Sequence, residues 1–144
     1  MKKNKSGLSK KIICIVDDEP FILEMYSKKL INEGFEVIGA CDGEDGLVKI
    51  KKCKPDIILT DLIMPKKDGF SLIRDLNDNP DLSKIPKVVL TNIDDTEKRM
   101  LACQLGVLFF VIKSQCLSAE LTKIVKEILS VTLRNPMKNV ICSQ

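Results

Sequence analysis

The sequence of 144 residues contains no histidine and no tryptophan, and its aromatic content is only 4%. Without an imidazole, the chain cannot bind zinc through histidine, use a histidine general base or carry a phosphohistidine. Its six cysteines form no C-x-x-C pair, which argues against a zinc cluster or a redox pair. Cys14, Cys41 and Cys103 fall within apolar patterns, and this predicts buried free thiols.

The sequence also lacks a run of about 18 apolar residues, the length that spans a bilayer, and it lacks a secretory signal. Residues 1–11 contain five lysines and no acidic residue, so the net charge of +3 becomes −2 without them. We expect residues 1–10 to form a flexible basic leader. We therefore predict a cytoplasmic protein that binds neither a membrane nor, directly, nucleic acid.

What the chain does contain is a regular alternation of apolar runs and amphipathic segments. The apolar runs predict five β-strands, over residues 12–16, 35–40, 57–60, 88–91 and 108–112. Helical periodicity follows each run, over residues 20–31, 44–52 and 70–76, from a cap at Asp94 or Asp95 to 105, and after a cap at Ser118. This alternation predicts an α/β fold, a doubly wound (βα)5 domain with a five-stranded parallel sheet. We assign the domain to residues 11–131 and a C-terminal tail to residues 132–144.

Polar side chains stand where several of these strands end. They are Asp17, Asp18 and Glu19 after the first strand, Asp61 after the third, Thr91 at the end of the fourth and Lys113 after the fifth. In open parallel sheets this edge binds ligands. Clustered carboxylates with no histidine or cysteine beside them favour a hard cation, Mg²⁺ first.

One of these carboxylates is also a candidate nucleophile, because carboxylates form aspartyl-phosphates. Asp61 is the better candidate because it stands alone at the end of a central strand. Asp17 and Asp18 form a pair that is better suited to holding the metal.

Four motifs carry a resemblance to a known family: VDDEP (16–20), D-L-x-M-P-x-x-D-G (61–69), VVLT (88–91) and a lysine, Lys113, with an aromatic residue three positions before it. In this order and spacing, the chain resembles the receiver domain of two-component response regulators, in particular single-domain chemotaxis regulators. The resemblance implies a flavodoxin-like sheet with strand order 2-1-3-4-5. It also implies a phosphorelay switch and not an enzyme, since the reaction is limited to self-phosphorylation from a phosphodonor.

The resemblance implies a role for each matching residue. Asp61 would be the phosphoacceptor, and Mg²⁺ would be held by Asp18, Asp61 and the backbone carbonyl of Ile63. Asp17 would act on the metal through a bound water.

Two further residues, Thr91 and Lys113, would contact the phosphoryl group. The ring of Phe110 would swing inward as Thr91 moves, so that Thr91 and Phe110 form the switch. The phosphoryl donor would be a histidine kinase or a histidine phosphotransfer protein. A downstream protein would read the face made by helix 4, strand 5 and helix 5.

The chain departs from the family at two positions. Ser114 follows the lysine where a proline is usual, often with a cis bond, so the Lys113–Ser114 bond is expected to be either trans or strained. Asn92 follows Thr91 in place of a small residue, and its bulk could slow access of the donor. We also predict slow loss of the phosphoryl group, because the side chains of Ile63 and Ile93 cannot hydrogen-bond a hydrolytic water.

Two alternatives remain open. A degenerate receiver would dock partners without taking up phosphate. An aspartyl-phosphate phosphatase of the haloacid dehalogenase type would need a second aspartate two residues after Asp61, where this chain has Ile63. No output domain follows the motifs, which leaves a stand-alone regulator or part of a longer protein.

Overall fold

The computed structural model describes residues 9–134, with side chains described up to residue 131. Strands and helices alternate along it: β1 (Ile12–Val16), α1 (Pro20–Asn32), β2 (Glu36–Ala40), α2 (Gly43–Cys53), β3 (Ile57–Thr60), α3 (Gly69–Asn77), β4 (Lys87–Thr91), α4 (Thr96–Gln104), β5 (Phe109–Ile112), a short 3-10 turn (Lys113–Gln115) and α5 (Ser118–Arg134). Within this part of the chain, no helix combines the length and the apolar character needed to cross a membrane.

The five strands form one parallel sheet in the order β2-β1-β3-β4-β5. The predicted doubly wound fold and its strand order are therefore confirmed. The register aligns the strand ends, because Val16 lies level with Thr60 and Thr91 lies level with Ile112. The residues that follow these strands are thus brought to one edge of the sheet.

Helices cover both faces of the sheet, and successive strand residues are buried on opposite faces. On one face, Ile13 and Ile15 pack with side chains of α1 and α5. On the other face, Cys14, Val16 and Ile58 pack with side chains of α2 and α3. This two-sided burial explains why the strands are apolar at consecutive positions.

Aspartate side chains begin three of the helices. Of the two residues predicted as the cap of α4, Asp95 is the one observed, because it accepts hydrogen bonds from the backbone N–H groups of Glu97 and Lys98. Asp42 and Asp68 cap α2 and α3 in the same way. These caps satisfy donors that a helix leaves unpaired in its first turn.

Gly69 fixes the loop between β3 and α3. A Cβ atom at this position would collide with the backbone carbonyl of Asp61. The N–H of Gly69 also donates to the carbonyl of Leu62. Only glycine allows this close approach, which holds the loop against the end of β3.

Some predictions are wrong in detail. Ser118 is the first residue of α5 and not its cap, because the N–H of Leu121 donates to the carbonyl of Leu117. Of the three cysteines predicted to be buried, Cys14 is buried, whereas Cys103 is half-buried on α4 and Cys41 is exposed just after β2.

The two predicted terminal segments lie mostly outside the described residues. Helix α5 continues to Arg134, three residues beyond the boundary placed at 131. Residues 1–8 of the leader and 135–144 of the tail are not described.

Candidate functional site

The ammonium group of Lys113 forms the centre of a cluster at the carboxyl edge of the sheet. Its Nζ lies 3.0 Å from Asp17 Oδ2, 2.9 Å from Glu19 Oε1 and 3.0 Å from Asp61 Oδ2. The side chains of Lys113, Asp17 and Asp61 are 2%, 1% and 7% exposed. All three ammonium donors therefore meet carboxylates, two of them buried and the third, that of Glu19, exposed to solvent.

Both buried aspartates are also held by backbone groups. The second oxygen of Asp17 accepts the N–H of Glu19 at 2.9 Å, and that of Asp61 accepts the N–H of Leu62 at 2.7 Å. Each carboxylate thus has one oxygen on the lysine and one on the main chain. This fixes the orientation of the carboxylate of Asp61 at the end of β3.

Burial and ion pairing act against each other on the pKa values of the cluster. Burial by itself lowers the pKa of Lys113, but hydrogen bonds to Glu19, Asp61 and Asp17 outweigh it and raise the pKa above its usual range. Burial raises the pKa of Asp17 in spite of its bonds to the Glu19 N–H and to Lys113. Lys113 therefore carries its positive charge at neutral pH.

Three carboxylates and one ammonium leave an excess of two negative charges in the cluster. Oxygens of Asp17, Glu19 and Asp61 all lie within 4.8 Å of one another. Oxygen donors with excess negative charge are the chemistry that Mg²⁺ requires, so these residues fit that cation.

The structure brings together a different carboxylate set from the one that the sequence motifs imply. Glu19, which sequence reasoning did not select, joins Asp17 and Asp61, whereas Asp18 is exposed and stands outside this group. The sequence carries no signal for this contact of Glu19. In the structure, Glu19 occupies the N-cap position before Pro20, and its side chain makes no cap hydrogen bond and reaches Lys113 instead.

Thr91 lies at the same edge, at the end of β4, and is buried. Its Oγ1 accepts the backbone N–H of Ile93 at 3.3 Å, which closes a tight local turn. Asn92, at the middle of this turn, is exposed, and its side-chain oxygen accepts the N–H of Ser114 at 3.0 Å. The Lys113–Ser114 peptide bond is trans, which resolves the alternative left open by the sequence.

Phe110 lies inward in the structure and is 2% exposed. It belongs to a core cluster with Leu62 and Val89. The guanidinium of Arg99, on α4, lies 5.0 Å from the centre of its ring and pairs with Asp94 at 2.7 Å. Sequence reasoning missed this cation–π contact because it joins two elements through their packing.

The side chain of Ile63 is 57% exposed, and that of Ile93 is half-buried. Between Asp61 and Gly69, the N–H of Lys67 donates to the carbonyl of Pro65, and Lys66 adopts a positive φ of 66°. The loop that carries the Ile63 carbonyl is thus tightly turned.

Comparison with known proteins gives a consistent result. A family model described as the response regulator receiver domain matches residues 13–126. A probable transcriptional regulator ycf27 of Porphyridium aerugineum is 32% identical over 106 residues, which is 74% of this chain and 43% of that protein. The response regulator PleD of Caulobacter vibrioides is 37% identical over 101 residues, 70% of this chain and 22% of that protein. The chain spans less than half the length of these relatives.

Solved structures agree with these matches. A CheY-like response regulator receiver domain protein from Methanospirillum hungatei is 26% identical with a TM-score of 0.82, covering 88% of this chain and 98% of that chain. The chemotaxis response regulator CheY4 of Vibrio cholerae is 27% identical with a TM-score of 0.77, covering 83% of this chain and 99% of that one.

Proposed function

Because this chain belongs to the receiver-domain family of response regulators, as its motifs predicted, we propose that it is a signalling switch whose phosphoacceptor is Asp61. The observation that carries the proposal is the contact of Asp61 Oδ2 with the ammonium of Lys113 at 3.0 Å. It pairs a fixed carboxylate nucleophile with a buried positive charge at the ligand-binding edge of a parallel sheet.

In the proposed reaction, a carboxylate oxygen of Asp61 bonds to the phosphorus of a phosphohistidine on a partner protein. The P–N bond of the donor breaks, and the histidine nitrogen keeps the electron pair. The chain has no histidine of its own, so the donor is a second protein, a histidine kinase or a histidine phosphotransfer protein. The product is an acyl phosphate on Asp61.

Mg²⁺ would supply charge neutralisation for this transfer when bound. Asp61, Asp18 and the carbonyl of Ile63 are the proposed ligands, with Asp17 acting through water. The fit of the site supports a divalent cation, since three carboxylates within 4.8 Å exceed the charge of one lysine. Glu19 is an additional oxygen donor at this position.

Lys113 and Thr91 would then bind the transferred group. The ammonium is charged and has three donors, and one of its acceptors, Glu19, is 52% exposed in its side chain and so is readily exchanged. The hydroxyl oxygen of Thr91 accepts the N–H of Ile93, and its own O–H would donate to a phosphoryl oxygen. Movement of Thr91 would be sensed by Phe110, the other member of the proposed switch.

We infer that the signal leaves through the face made by α4, β5 and α5, where a downstream protein would bind. The contact of Arg99 with Phe110 supports this, because it ties α4 to the proposed switch residue. We place the protein in the cytoplasm, where its donors act, and we assign no direct nucleic-acid contact to this domain.

The test is phosphorylation by acetyl phosphate with Mg²⁺, followed by intact mass. We expect one added phosphoryl group on the parent and none on Asp61→Asn. Asp68→Asn is the matched control, because Asp68 caps α3 outside the carboxylate cluster and asparagine preserves a cap. Labelling of Asp61→Asn at the parent's level would refute the assignment. A parent that takes up nothing would favour the docking-only receiver.

A further inference from the structure

The two loops that carry Thr91 and Lys113 are joined by one hydrogen bond. The side-chain oxygen of Asn92, one residue after Thr91, accepts the backbone N–H of Ser114, one residue after Lys113, at 3.0 Å. Both residues are exposed, so this bond belongs to neither core nor sheet. It connects neighbouring strands β4 and β5 just beyond their last paired residues, Thr91 and Ile112.

The bond depends on a feature of the main chain at Ser114. Ser114 lies in the first turn of the short 3-10 segment Lys113–Gln115, where backbone N–H groups have no partner within the turn. The oxygen of Asn92 satisfies this donor. A proline at position 114 would have no N–H to give, so Asn92 and Ser114 function as a pair.

The bond also depends on the conformation of Thr91. Because Thr91 Oγ1 accepts the N–H of Ile93, the turn between them is closed and sets the direction in which Asn92 points. If Thr91 turns toward a group on Asp61, this turn opens and Asn92 is carried away from Ser114. The bond is present in the conformation described here and would be lost in the phosphorylated one.

We propose that Asn92 is a positioning residue. Its bond to Ser114, here called the latch, holds the Thr91 loop in the resting conformation and so favours the resting state. This proposal rests on the function proposed above. A contact made in only one of two states shifts the equilibrium by its own free energy. Loss of one exposed hydrogen bond should thus strengthen binding of a phosphoryl analogue about twofold to fivefold.

The experiment measures the affinity for beryllofluoride, an acyl-phosphate mimic, in the presence of Mg²⁺. Asn92→Leu removes the acceptor and should bind it about twofold to fivefold more tightly than the parent. Asn92→Asp keeps an acceptor, and Ser114→Ala keeps the N–H, so the latch should survive in both. The double variant Asn92→Leu/Ser114→Ala should match Asn92→Leu, because the side chain of Ser114 takes no part in the bond.

A second readout tests the bond directly in the free chain. Amide hydrogen exchange at residue 114 should be slower in the parent and in Asn92→Asp than in Asn92→Leu. Equal exchange in all three, or equal beryllofluoride affinity in parent and Asn92→Leu, would overturn the latch. A parent that binds no beryllofluoride would overturn the proposed function itself. A parent that binds it as tightly as Asn92→Leu does would overturn only the latch.

Discussion

Two buried lysines lie at opposite ends of the sheet, and their surroundings differ. Lys113 follows β5 and meets three carboxylates at the carboxyl edge. Lys87 begins β4 at the amino edge and is 3% exposed, and its Nζ donates only to the carbonyls of Ser83 and Ile85, at 3.2 and 2.8 Å. Among the described residues, no carboxylate pairs with Lys87.

The difference in partners gives the two amines opposite pKa shifts. Burial lowers the pKa of Lys87 to about 8, whereas the carboxylates raise that of Lys113. Burial alone therefore does not indicate a site. The edge where charges of both signs converge is the one for which we propose phosphoryl binding, whereas Lys87 at the other edge contacts only backbone carbonyls.

The largest expected effect comes from removing Lys113, with removal of Lys87 as the comparison. Lys113→Met leaves three clustered carboxylates without their counter-charge, and we expect it to lower the free energy of unfolding by about 3 kcal/mol. Mg²⁺ should restore part of this loss. Lys87→Met removes a charge that burial already disfavours, so its effect at pH 7 should stay within about 1 kcal/mol.

Urea denaturation of the parent and the two variants, with and without Mg²⁺, measures these values. Equal losses for the two lysines would remove the distinction between the two edges.

The second prediction concerns pH. Because the folded pKa of Lys87 is about 8 and its ordinary value is 10.5, the unfolded chain binds more protons between these limits. The free energy of unfolding should therefore rise with pH across this window, by up to about 3 kcal/mol relative to Lys87→Met. The comparison with the variant is needed because the buried thiol of Cys14, with a pKa raised to about 12, acts in the opposite direction. Parallel pH profiles for the parent and Lys87→Met would contradict the shift.

The fold could be predicted from the sequence because its determinants are local. Two-sided burial makes β1, β3 and β5 apolar at consecutive positions, except for Thr60 at the end of β3. The caps at Asp95 and Asp68 lie within three residues of the groups they bind. The strand ends then collect Asp17, Asp61 and Lys113 at one edge through the register alone.

The contacts that the sequence could not predict join side chains that are far apart along the chain. Glu19 and Lys113 are 94 residues apart, and nothing near Glu19 indicates that its side chain turns to the lysine. The bond from Ser114 to Asn92 and the contact of Arg99 with Phe110 likewise join separate elements. The register aligns backbones, but it does not determine which rotamer fills the space between them.

A third prediction distinguishes the two possible sets of metal ligands at the carboxyl edge. The family motif assigns Mg²⁺ to Asp18, whereas the three clustered carboxylates include Glu19 instead. We expect Asp18→Ala to weaken Mg²⁺ binding about tenfold, because few protein ligands meet this cation. Glu19→Gln should weaken it less, since Glu19 mainly neutralises Lys113.

Calorimetric titration of the parent and both variants with Mg²⁺ measures the two effects. A larger loss in Glu19→Gln would show that the clustered carboxylates form the metal site as they stand.

The smallest expected effect concerns the lifetime of the phosphorylated state. Hydrolysis of an acyl phosphate needs a water held in line with the phosphorus, and neither Ile63 nor Ile93 can hydrogen-bond to it. Ile63 is 57% exposed at the edge of the site, and Ile93 lies beside the turn of Thr91. We therefore expect slow decay once the donor is removed.

The double variant Ile63→Asn/Ile93→Glu should lose its phosphoryl group about threefold to tenfold faster, the effect of one or two hydrogen bonds that orient water. Its control is Ile63→Leu/Ile93→Leu, which keeps both side chains apolar and leaves the backbone carbonyl at position 63 in place. Decay is measured by intact mass after removal of acetyl phosphate. If all three proteins decay at one rate, the isoleucines serve only to pack their loops, and the long lifetime would have to come from elsewhere in the site.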